Sequence, residues 1–155
     1  MGLWRALLGE YVGTFILVFF GVGAVNAAVV TGAQAGLWQV AVVWAFGVSL
    51  GIYTAGSLSG AHINPAITAA FAIFDRFPWQ RVVPYWLAQL AGAATASLIL
   101  YCMFADAIIE FERVNGLLRG GPVYYTHLRA HETDSYLVCS LLIEKKRGGG
   151  GGGGG

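Results

Sequence analysis

The chain has 155 residues, of which 57% are hydrophobic and 11% charged, with a formal net charge of +1 and a mean hydropathy of +0.65. Soluble domains carry roughly 25% charged residues, so this composition argues against a soluble enzyme or a disordered chain, and two Cys are too few for a disulfide scaffold. The near-neutral balance offers no basic field to hold nucleic acid, which leaves an all-α membrane protein as the expected class.

The charges are unevenly placed. From Tyr11 to Phe74 there is no Asp, Glu, Lys or Arg, and a second uncharged run covers Val82 to Ala105. A spanning helix takes about 20 apolar residues. The first run is longer than one span and is broken at Thr31-Gly32-Ala33-Gln34-Ala35-Gly36. The pattern predicts span 1 at about 7–30, span 2 at about 37–53 and span 3 at about 82–104. Arg5 and the following apolar run have the outline of a cleaved leader, but Glu10, Gly13, Gly21 and Gly23 interrupt it, and a retained span is expected. Each span carries small residues four apart, namely Gly9/Gly13, Gly47/Gly51 and Gly92/Ala96. Such pairs let a neighbouring backbone approach closely.

Residues 54–74 lie between spans 2 and 3. Their first part is rich in Gly and Ser, and their second, Pro65–Phe74, has helix formers. Ten residues rise about 15 Å, half the hydrocarbon thickness. A re-entrant loop followed by a half-helix is predicted. Irregular backbone at membrane depth survives only inside protein or beside water, which puts this segment at a pore or a binding site. Arg5, Arg76 and Arg81 flank the spans on one side, and the span 1–2 loop has no Lys or Arg. The positive-inside rule then places the N-terminus and the Arg76/Arg81 loop in the cytoplasm, with Asp106 and Glu110 outside.

Asn64-Pro65 suits a helix start, with Asn as N-cap and Pro at the first helical position. At the midplane, the unpaired N–H groups and the dipole of that helix end give a positive potential that disfavours cations. The Asn64 amide can donate to a hydroxyl or water. An extended Ser59-Gly60-Ala61-His62 would show carbonyl oxygens to the lumen. Glu10 has two readings: an interfacial acid, or a buried acceptor for the loop's backbone N–H groups. His62 is a structural donor, or else a proton relay or a pH gate. Trp44 either fills helix packing or lines a lumen. No Ser/His/Asp set, carboxylate pair, phosphate loop or metal-ligand cluster is present, so neither an enzyme nor a cofactor is expected.

Ser59-Gly60-Ala61-His62-Ile63-Asn64-Pro65-Ala66-Ile67-Thr68 resembles the first signature loop of the major intrinsic protein family, the aquaporins. Gly9-Glu10-Tyr11-Val12-Gly13-Thr14 and Phe19-Phe20-Gly21-Val22-Gly23 resemble the family's first helix. Trp44, in Val43-Trp44-Ala45-Phe46-Gly47, and the stretch Ala105–Gly120 resemble the glycerol-conducting branch, the aquaglyceroporins. The resemblance implies a homotetrameric channel in the plasma (inner) membrane, one pore per subunit, for glycerol, other small uncharged solutes and water. It implies that Asn64 donates to the solute, that Gly60, Ala61 and His62 offer carbonyls, and that Trp44 forms an apolar wall of the filter. Glu10, Pro65 and Ala66 would brace the loop. The family has six spans in two inverted halves; this chain supplies the first half, without the second loop and the filter Arg.

After Gly121 the sequence changes character. Tyr125-Thr126-His127-Leu128-Arg129-Ala130-His131-Glu132-Thr133 resembles a translated sequencing adapter, and Glu144-Lys145-Lys146-Arg147 leads into a terminal Gly run. Residues 1–121 are therefore expected to form the half-channel, and residues 122–155 a non-native, disordered tail. Up to Gly121 five Lys and Arg balance five Asp and Glu. The expected function is a passive channel, truncated here and inactive alone. The alternatives are a proton-coupled transporter with a broken helix, in which His62 or Glu10 carries protons, and an inert membrane fragment.

Overall fold

The computed structural model describes residues 2–33, 36–75 and 77–117. The expected tail at 122–155 lies outside them. Among the described residues the chain is all helical. α1 spans Leu3–Val29, α2 Leu37–Ser59, α3 Pro65–Phe74 and α4 Val82–Val114, with a 3-10 turn at Trp79–Arg81 before α4. Three helices are long and apolar enough to cross a membrane, and α3 is a short apolar helix between the second and third.

The helices sort their side chains in the manner of a membrane protein. α1 buries Ala6, Gly9, Glu10, Gly13, Thr14, Gly21 and Ala24, while Trp4, Leu8 and Phe20 are exposed. α4 buries Val82, Tyr85, Gln89, Gly92, Ala96 and Leu100 and exposes Leu87, Leu90, Leu98 and Met103. Small and polar residues face inward because lipid solvates large apolar groups as well as protein does, so close backbone contact and hydrogen bonds drive association instead.

The small-residue pairs make those contacts. A Cβ on Gly13 would stand 2.9 Å from that of Ala55 and 3.3 Å from the Gly51 carbonyl oxygen, and one on Gly51 would stand 2.9 Å from the Gly13 carbonyl oxygen. α1 and α2 thus cross backbone to backbone. On the other side of α1, a Cβ on Gly92 would collide with the Tyr11 carbonyl, and the Tyr11 hydroxyl donates to Thr95 Oγ1 at 3.1 Å. α1 is thereby held between α2 and α4.

Two segments differ from expectation. Residues 54–59 are helical and extend α2 to Ser59. Their hydroxyls turn back onto the helix, Thr54 Oγ1 to the Leu50 carbonyl at 2.7 Å and Ser59 Oγ to the Ala55 carbonyl at 3.2 Å. Where water is absent, helix is how a Gly- and Ser-rich backbone satisfies its own amides. Span 3 is also longer than expected. α4 has 33 residues, about 50 Å, and continues past Asp106 beyond the uncharged stretch. Its final residues belong to a second unit that begins at Glu110. There Arg113 pairs with Glu110 at 2.7 Å, and the chain turns at Gly116, where φ is 65°.

Candidate functional site: the turn between α2 and α3

α2 ends at Gly60, in the left-handed region at φ 90°. The next residues do not extend. Ala61 and Ile63 are also left-handed, at φ 53° and 41°, so the run that carries the expected carbonyls is not regular extended backbone. A left-handed conformation costs roughly 1–2 kcal/mol per L-residue, and a β-branched Ile pays most of that range. A local force has to hold it.

Glu10 supplies that force. It is fully buried, not interfacial. Its Oε1 accepts the His62 backbone N–H at 2.9 Å, and its Oε2 accepts the Ile63 N–H at 2.7 Å. Gln89 Nε2 donates to the same Oε2 at 2.7 Å. Three N–H donors offset the desolvation of one acid. Hydrogen bonds to charged groups contribute about 1.5–3 kcal/mol each, enough to outweigh the strain at Ala61 and Ile63. The carbonyl oxygens of Gly60, Ala61 and His62 accept no hydrogen bond from any described residue.

The start of α3 is built by its own cap. Asn64 Oδ1 accepts from the Ala66 N–H at 2.8 Å and the Ile67 N–H at 3.4 Å, with Pro65 at the first helical position. The cap thus uses the amide oxygen and leaves the NH2 group out of the cap, on an exposed residue. The Asn64 carbonyl accepts from both the backbone N–H and the hydroxyl of Thr68, each at 3.0 Å.

His62 is 5% exposed. Its ring lies 4.7 Å from Phe71, 4.7 Å from Phe77 and 5.1 Å from Tyr85, and its Nδ1 is 3.2 Å from Thr68 Oγ1. Trp44 sits elsewhere. Its indole covers the backbone of Gly21 on α1, where a Cβ would come within 2.6 Å of the ring. It is fifteen residues before the end of α2, about 22 Å along the axis. The structure therefore gathers Glu10, Gly60, Ala61, His62, Asn64, Pro65 and Ala66 around one turn and leaves Trp44 apart from them.

Three α4 residues of this site carry no motif and were not expected, and Thr68, last in the signature stretch Ser59–Thr68, was given no role. Tyr85 donates to the Ser59 carbonyl at 3.1 Å and Trp86 Nε1 to the Pro65 carbonyl at 3.0 Å. Gln89 also donates to Thr68 Oγ1 at 3.0 Å. One turn of α4 thus grips the re-entrant turn on both sides, and Thr68 joins that grip to the cap. The signal was a polar Gln89 inside an uncharged span, four residues from Tyr85 and in line with Gly92 and Ala96. Thr68, one helical turn after Asn64, was the other.

Residues 1–132 match the family described as Major intrinsic protein. The chain belongs to the major intrinsic protein family. As a major intrinsic protein it is a multi-pass membrane protein. The family match runs past Gly121, where composition changes. Among similar family members are the glycerol uptake facilitator protein of Haemophilus influenzae, 42% identical over 73% of this chain and 43% of that protein, and the propanediol uptake facilitator PduF of Citrobacter freundii, 41% identical over 73% and 42%. The X-ray structure of the aquaglyceroporin from Plasmodium falciparum superposes with a TM-score of 0.65 at 32% identity, covering 70% of this chain and 45% of that one. The chain thus spans less than half the length of these major intrinsic proteins.

Proposed function

We propose that this chain forms one half of a passive channel for glycerol and other small uncharged polyols, with water, in the plasma membrane. The observation that carries this reading is the divided Asn64 side chain. Its oxygen is spent on the cap, and its NH2 is free to donate to a solute at the positive end of a short helix. The carbonyls of Gly60, Ala61 and His62 are the matching acceptors, and Glu10, with Pro65 and Ala66, braces the turn that carries them. Trp44 is the apolar wall of the filter. The names of the relatives support glycerol as solute, and those of the propanediol facilitators extend the class to small diols.

In this reading the N-terminus is cytoplasmic, the full-length form is a homotetramer in membrane lipid, and the 155-residue chain conducts little alone. The chain covers 40–43% of the relatives' length, and the resemblance implies a pore walled by two such halves. Shrinkage of proteoliposomes in a glycerol gradient tests the proposal. The full-length form should pass glycerol rapidly, without dependence on a proton gradient, and this chain alone should match empty vesicles. Flux that tracks a proton gradient would overturn the channel in favour of a coupled transporter.

A further inference from the structure

We infer that Trp86 is a positioning residue for the Asn64 amide, acting through the first turn of α3; the inference rests on the channel reading above. Because Asn64 Oδ1 is bound to Ala66 N and Ile67 N, the direction of its NH2 is the direction of that turn. Two side chains of α4 hold the turn. Gln89 reaches Thr68 from the buried side. Trp86 reaches the Pro65 carbonyl at 3.0 Å from a partly exposed position. Residues three apart on a helix are neighbours on its surface, so the two donors grip the turn at adjacent points and oppose its rotation about its own axis.

The indole suits this task. It is a donor only, so it holds a carbonyl without competing for the Asn64 NH2. Its ring is wide enough to bridge two helices while keeping the N–H at one defined edge. Loss of that bond frees the first turn to rotate against the Gln89 contact. Glycerol has three linked hydroxyls that must meet Asn64 and the turn's carbonyls in register, whereas one water molecule reorients freely. Misalignment therefore affects glycerol more than water.

The test has two parts. In the 155-residue chain in detergent, the resonance Raman difference between the native protein and Trp86→Phe should show a hydrogen-bonded indole N–H. A free N–H signature would overturn the tether. In the full-length channel, Trp86→Phe should lower glycerol flux several-fold and leave water flux within about twofold. Benzothienylalanine at position 86, which keeps the shape and lacks the N–H, should behave like Phe, and 7-azatryptophan, which keeps the N–H, should restore glycerol flux. Equal losses for glycerol and water, or full activity with benzothienylalanine, would overturn the positioning role. A native full-length protein that passes no glycerol would sink the channel reading instead, and the Raman result would still decide the tether.

Discussion

In the proposed channel Asn64 divides one side chain between capping and solute, and the two tasks should respond to different substitutions. Asp retains a capping oxygen for Ala66 N and Ile67 N and lacks the NH2. Asn64→Asp should therefore leave the melting midpoint in detergent nearly unchanged, since the two residues cap about equally well. Glycerol flux through the full-length channel should fall about tenfold or more, the value of one lost hydrogen bond of about 1.4 kcal/mol. Glu10 behaves in the opposite way. Glu10→Gln turns an NH2 toward one of the loop's N–H groups and leaves that donor unsatisfied at a buried site. The expected loss is about 1–3 kcal/mol, read as a lower melting midpoint and faster amide exchange at His62 and Ile63.

At the scale of the helix, close approach is set by single glycines. Gly92 meets the Tyr11 carbonyl, a backbone atom that cannot swing away. Gly92→Ala should push α4 from α1, break the Tyr11–Thr95 hydrogen bond and cost about 1–3 kcal/mol. Gly56 has nothing within 4 Å of where a Cβ would stand and lies inside α2. Gly56→Ala in the same chain should gain about 0.5–1 kcal/mol from backbone entropy alone. Thermal unfolding of both variants in one detergent would check the opposite signs. The same element scale explains why α2 runs to Ser59. Its Gly and Ser residues suggested a break, but the hydroxyls of Thr54 and Ser59 bond to carbonyls of the helix itself.

For the whole molecule, the arginines and the small-residue faces act at different distances. In the proposed topology Arg5, Arg76 and Arg81 flank the spans on one side, and the positive-inside rule would place that side in the cytoplasm. A single cysteine at Gly32, with Cys102 and Cys139 replaced, should react with a membrane-impermeant maleimide from outside intact cells. One at Gly2 should react only after lysis, and the reverse labelling would overturn the orientation. Inside the bundle, a set of buried polar groups instead converges on the non-helical stretch between α2 and α3. Glu10, Thr68, Gln89 and His62 are buried there, while many large apolar side chains, such as Leu87, Leu90 and Leu98, are exposed.

Features set by neighbouring residues could be read directly from the chain. Uncharged run lengths mark three spans and a half-length helix, because bilayer thickness converts directly into residue number. The Asn64–Pro65 cap is equally local, since its donors lie two and three residues away. The bonds that shape the turn are of another kind. Glu10 meets His62 and Ile63 across 52 and 53 residues, Gln89 meets Glu10 across 79, and Trp86 meets Pro65 across 21. Those meetings depend on how far each helix is rotated and how closely it approaches its neighbour. Rotation and approach come from backbone contacts at Gly13, Gly51 and Gly92, which are properties of packed pairs and belong to no single stretch of sequence.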